Sequence, residues 1–241
     1  MSSEERMVPG YLYVDHTDPE HPRAVAGGRV TLPAPRPPWL LVHRSLDQML
    51  VTRWPVRLFR VAEVPPATER ERAVLADAVA ELLPIAGFTR AACVDVLEEL
   101  SPALLFGPYG AAVARVLDAG CALDEQTAHR LAQARHRNAE QAYRAAWRRW
   151  LDGPRVSGAS SPVGSGFALL HRVVGDSARL RGRPGAWVVD GDGEDVVAEP
   201  WRAAFSALLE AAMAYGAPDL SDGAAGVAMS TAWHAVYGPM P

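Results

Sequence analysis

The sequence predicts an α+β protein: a small N-terminal mixed sheet with helices, then a mainly helical C-terminal half that carries a β-hairpin. Three observations predict it. Short apolar or alternating runs bounded by proline and glycine crowd the first hundred residues. Longer stretches with apolar residues three and four apart dominate the rest of the chain. Near its end, Asp190-Gly191-Asp192-Gly193 separates two valine-rich runs, as a hairpin turn does.

A chain of 241 residues can bury a sizeable core. Its net charge of −4 argues against bulk nucleic-acid affinity, although all 24 basic residues are arginine. No apolar run approaches the roughly 20 residues that span a bilayer. The start, MSSEERMVPG, is polar where a signal peptide would be basic and then apolar. Two cysteines, Cys93 and Cys121, suit a reducing compartment. A soluble, cytoplasmic protein is the expectation.

Residues 1–100 read as an α/β unit and 101–241 as a mainly helical part, a division also compatible with one continuous domain. The first part is organised around Trp39 to Val64. Trp39–Val42 is a continuous apolar run of strand length, and Arg57–Val64 alternates as a strand does before Pro65-Pro66 ends it. Between them, Ser45 to Arg53 has a capping serine, an acid at Asp47 and apolar Leu46, Met49 and Leu50. A helix is expected there, joining two neighbouring strands. Tyr11–Val14 and Phe88–Leu97 are further strands, the latter with Phe88, Ala92, Val94 and Val96 on one side. Thr68 and Glu71 have capping-box spacing at the head of a helix that runs to Leu83.

In the second part a short helix follows Gly110. Asp124 to Leu151 is expected to be the longest helix. Its seam, Ala132, His136, Ala139, Tyr143, Ala146/Trp147 and Trp150, alternates spacings of four and three, which predicts a buried His136. Arg130, Arg137, Arg144 and Arg148 make a stripe on another face, expected to be solvated. Residues 153–166, rich in glycine and serine, read as a linker or mobile loop, and Phe167–Val174 as a strand. The hairpin acids lack the bidentate glutamate of an EF-hand, because position twelve from Asp190 is Trp201. Trp201–Tyr215 is a helix stopped by Gly216, and 219–237 holds a last helical stretch interrupted by glycines.

Some residues carry chemistry worth placing. His16 and His21 flank Asp18 and Glu20 on a loop, without the spacing that would aim them at an ion; no metal site is expected. Tyr13 to Thr17, then Val42-His43-Arg44-Ser45-Leu46, then Arg60 to Pro65, resemble in order the rifamycin-modifying type of the ADP-ribosyltransferase-like superfamily. Gly27-Gly28-Arg29-Val30 resembles the signature of its RES type except at the fourth position. His16 lies two residues further from Tyr13 than that pattern has it. The resemblance implies NAD as a cofactor held by Arg29, Tyr13 and His16, with His43 and Glu63 as catalytic residues. His43 or His16 would position the ribose, and Glu63 would stabilise an oxocarbenium cation. The whole chain is also similar to Ala/Arg/Trp-rich proteins of actinobacteria, a resemblance that implies no activity.

The sequence holds no complete catalytic constellation. Its expected function is therefore a non-catalytic protein-interaction module with a protein partner and no cofactor. Nucleic acid and membrane are not expected partners, and the oligomeric state is open. The alternative is an NAD- or nucleotide-handling enzyme, or a remnant of one, related to ADP-ribosyltransferases.

Overall fold

The computed structural model describes residues 9–15, 23–34, 36, 38–49, 51–66, 68–80, 87–152 and 162–240. The chain divides into two compact units. The first comprises residues 1–49 and 55–102, and the second 103–241 with the short 50–54 segment. Among the described residues no helix is long and apolar enough to cross a membrane.

Among the described residues the sheet of the first unit has six strands: β1 (Pro9–Val14), β2 (Arg29–Thr31), β3 (Leu40–His43), β4 (Arg57–Glu63), β5 (Phe88–Ala91) and β6 (Cys93–Leu100). Their order is β2-β6-β4-β1-β3-β5. Every pairing is antiparallel, where the sequence suggests a mixed sheet. β5 and β6 are two halves of one strand separated by Ala92 alone. The strand that ends the order is thus covalently continuous with the one next to its other end, and the sheet closes on itself as a small barrel. Period-two alternation fills the interior with Leu12, Val14, Leu40, Val42, Phe59, Val61, Val94 and Val96, all buried in one cluster. Ala91, not Ala92, joins that cluster, because the bend shifts the alternation by one.

Two readings of the Trp39–Val64 stretch are corrected. β3 and β4 are strands, but β1 lies between them, pairing Tyr11 with His43 on one side and all six of its residues with β4 on the other. The connection is also not an α-helix. Only Leu46–Gln48 turns, as one 3-10 turn, because Ser45 stays extended (φ −148°, ψ 156°) and its side chain makes no cap bond. Two strand spacings, about 10 Å, separate β3 from β4. The capping box is present as expected: the Thr68 N–H donates to Glu71 Oε2 (3.1 Å) and the Glu71 N–H to Thr68 Oγ1 (3.2 Å). It starts α1 (Glu69–Ala80). The final residues expected in that helix, 81–83, lie outside the described residues.

The second unit contains α2 (Gly110–Cys121), α3 (Glu125–Ala134), α4 (Ala139–Asp152), α5 (Pro162–Arg181), the hairpin β7 (Trp187–Val189) and β8 (Asp195–Val197), α6 (Trp201–Gly216) and α7 (Gly223–Tyr237). Trp54 belongs to it: its indole N–H donates to Asp118 (2.8 Å) and its ring packs on Phe106. α6 lies at the centre, against α2, α3, α4, α5 and α7. Its many alanines make this approach feasible; Ala204, Ala207, Ala211 and Ala214 are all buried.

The expected long helix is two. The chain turns extended at Arg135 (φ −63°, ψ 127°) and resumes at Ala139. His136 falls in this break and is exposed, not buried. The arginine stripe is split between helices, yet Arg130, Arg137, Arg144 and Arg148 are all exposed as expected. Tyr143, Trp147 and Trp150 are more than half buried, packed with Met213 and Met229 of the C-terminal helices. Phe167–Val174 is helical, as part of α5. Residues 153–161 of the expected linker lie outside the described residues, and 162–166 are already helix. α7 runs unbroken through Gly226, capped by Asp222, which accepts from the Ala225 N–H (2.8 Å). The hairpin forms as expected, with the Asp190 carboxylate accepting from the Asp192 and Glu194 N–H groups at 2.9 and 3.0 Å.

Barrel closure depends on one close approach. A Cβ on Gly10 would sit 2.5 Å from Val42 Cγ1 and 2.8 Å from the His43 carbonyl oxygen. Gly10→Ala should therefore destabilise the first unit by about 1–3 kcal/mol, as overpacking does. Urea unfolding measures this; an unchanged midpoint would show that β1 and β3 can separate freely.

Candidate functional site

A groove of about 470 Å³ runs along the barrel where the 88–100 strand bends. β2 contributes Arg29 and Thr31, the end of β4 contributes Glu63 and Val64, and α1 contributes Glu71 and Leu75. Arg90, Ala92 and Cys93 come from the bent strand itself.

Antiparallel register explains how the polar groups are held. Arg29 faces Asp95 and Thr31 faces Cys93 across the β2–β6 ladder. The flanking bonds, Val96 N–H to Gly28 O and Leu32 N–H to Ala92 O (both 2.8 Å), make these the non-hydrogen-bonded pairs, whose side chains stand closest. Arg29 uses its fork fully on Asp95, with Nε to Oδ1 at 2.6 Å and Nη2 to Oδ2 at 2.9 Å. This bond holds the Asp95 carboxyl below its ordinary range and raises the Arg29 guanidinium. Cys93 Sγ and Thr31 Oγ1 are 3.2 Å apart. Cys93 and Cys121 are both free thiols.

Glu63 ends β4, where its carboxylate accepts from the Thr89 hydroxyl and pairs with Arg44 Nη2 at 3.0 Å. Neither Arg29 nor Glu63 presents an uncompensated charge.

The structure thus brings two of the five sequence candidates, Arg29 and Glu63, into one groove. Tyr13 and His43 form a second pair on β1 and β3, with ring centroids 6.0 Å apart, and Phe88 lies 5.6 Å from the imidazole on its other strand. β3 links the two pairs, since Arg44, which holds Glu63, follows His43 directly. His16 lies outside the described residues. Sequence reasoning missed Asp95, Arg44 and Thr89. Asp95 carried a signal, as the one acid between Val94 and Val96 in an alternating run, but its partner is set by pairing across 66 residues.

His43 is 5% exposed, and among the described residues neither ring nitrogen has a hydrogen-bond partner. Burial lowers its pKa, so the folded protein holds it neutral.

No protein-family model, no curated protein and no solved structure matches this chain.

The His43 environment has a pH consequence. The unfolded chain titrates this imidazole at its ordinary value, and the folded chain titrates it lower. Between the two the unfolded state binds more protons, so stability is full above the ordinary histidine value and falls as pH drops below it. The slope approaches about 1.4 kcal/mol per pH unit for one proton. Chemical denaturation at a series of pH values should show it, and His43→Phe should remove it. An identical slope in that variant would assign the dependence to other groups.

Proposed function

We propose that the first unit is a peptide-binding module that accepts an extended segment of a partner protein as an added strand on β2. One observation carries this: among the described residues β2 has β6 as its only neighbouring strand, and the groove lies beside it. Because Arg29 and Thr31 occupy non-hydrogen-bonded positions against β6, their backbone N–H and C=O groups point to the outer edge. An added strand would bond to those groups, and the groove would take its alternate side chains. Leu32, Val64, Pro65 and Leu75 form an apolar lining between charges of both signs, Arg29 and Arg90 with Glu63 and Glu71. A segment with apolar residues at alternate positions and flanking charges suits that lining. This reading agrees with the interaction module expected from the sequence, whose partner is a protein and which needs no cofactor.

A second reading has its own support, since Arg29 and Glu63 line this same groove. In it the groove would take NAD, with Arg29 exchanging Asp95 for a phosphate.

Display of random peptides, followed by fluorescence titration of those selected, tests the first reading. Thr31→Pro removes an outward N–H while leaving the β2–β6 ladder intact, and Leu75→Glu puts a charge in the lining. Each should weaken binding about tenfold or more with an unchanged circular dichroism spectrum. Full-strength binding by both variants would remove the β2 site. NAD or ADP-ribose raising the melting temperature of the native chain but not of Arg29→Ala would favour the second reading instead.

A further inference from the structure

The second unit has a pocket of its own, about 310 Å³ in volume, between the α3–α4 break and α6. At its floor Glu210 is 2% exposed and paired with Arg135. Among the described residues, all the donors this carboxylate receives come from one guanidinium. Oε1 accepts from Nε at 2.9 Å and also from Nη2, while Oε2 has only the shared Nε–H at 3.0 Å. A carboxylate offers about four lone-pair sites, so Oε2 retains accepting capacity in a place where water is scarce. Burial raises the Glu210 pKa above its ordinary value, with Arg135 pulling the other way.

The rim is built differently. Arg202 gives Nε to Glu199 at 2.9 Å, and Arg144 gives Nη2 to Glu140, both within one short stretch of chain. The side chains of both arginines are about two-thirds exposed, at 66% and 70%. Such solvated pairs are weak and readily exchanged. Glu199 is further committed to the backbone of α6, accepting from the Ala203 N–H at 3.2 Å.

From this arrangement we propose that the pocket binds a small zwitterion of the α-amino-acid class. The ammonium donates to Glu210 Oε2 at the floor, and the carboxylate is taken by Arg202 and Arg144 at the rim. The volume lies at the low end for ligand sites, which suits a compact metabolite. The carboxylate oxygen with spare accepting capacity lies at the floor and the exchangeable arginines at the rim, so a ligand with one charge uses only half of the site. This site is independent of the peptide groove.

Thermal-shift and calorimetric titrations of the full chain with a panel of free α-amino acids, the corresponding amines lacking the carboxylate, and the corresponding acids lacking the ammonium test it. At least one amino acid should raise the melting temperature, with its amine and acid at least about tenfold weaker. Arg202→Gln and Arg144→Gln alter exposed side chains and should leave the fold intact while weakening amino-acid binding by a similar factor. Glu210→Gln should abolish it, but this variant can also unfold the chain, so the arginine variants decide. No shift with any amino acid, equal binding of amine and amino acid, or unchanged affinity in both arginine variants would overturn the proposal.

Discussion

The bend at Ala92 is the constraint on which the first unit depends. A single strand from Phe88 to Leu100 serves two ladders: its first half bonds to β3 and its second half to β4 and β2. A bend leaves backbone groups that must find partners. Here the Ala92 carbonyl accepts from the Leu32 N–H (2.8 Å) and the Cys93 carbonyl from the Val64 N–H (3.0 Å). Leu32 and Val64 are also part of the groove lining. The groove therefore sits where it does because the residues that satisfy the bend form its walls.

Around that closure the outer face is a set of cross-strand charge pairs. Arg29 meets Asp95 and Arg60 meets Glu98, at closest distances of 2.6 and 2.8 Å, while Arg57 and Glu99 (2.6 Å) pair on the opposite face, beside Phe59. Exposed pairs of this kind contribute little stability each. Their effect is on register. A slip by one residue would turn Val94 and Val96 outward, put Asp95 into the barrel and break both outer pairs together. Apolar burial closes the barrel, and the charges on its outer face reject the neighbouring alignments.

Local signals were legible in the sequence. The Thr68–Glu71 box, the Asp190 turn and the helix that starts at Trp201 each depend on residues within a few positions of one another, and each is present. The period of α5 was also there to be read. Leu169, Leu170, Val173, Val174, Ser177 and Ala178 are its buried face, but eight residues of it in isolation fit a strand equally well. What could not be read was order in space. The place of β1 between β3 and β4 depends on closing the barrel, which no local pattern encodes. For the site, Arg29 and Glu63 were named by the resemblance of Gly27–Val30 and Arg60–Pro65 to ADP-ribosyltransferase-like motifs, not by a local pattern. Their partners Asp95, Thr89 and Arg44 are brought to them by pairings over distances of 19 to 66 residues.

The break between α3 and α4 shows a tertiary interaction overriding a helical pattern. From Asp124 to Leu151 there is no proline or glycine, and the apolar spacing is continuous. Arg135, at the break, supplies the counter-charge of Glu210, whose side chain is 2% exposed. Breaking a buried pair costs up to about 3–5 kcal/mol, comparable with the few backbone bonds lost in one interrupted turn at about 0.5–1.5 kcal/mol each. Part of that loss is also recovered locally, because the Asn138 N–H donates to His136 Nδ1 (3.2 Å) and the Ala139 N–H to the His136 carbonyl (3.0 Å). Arg135 therefore leaves the helix, His136 goes out to solvent with the turn, and α4 restarts at an angle that lays Tyr143, Trp147 and Trp150 on Met213 and Met229. One buried acid on the central helix thus holds Arg135 at the break, and the pocket lies beside that pair.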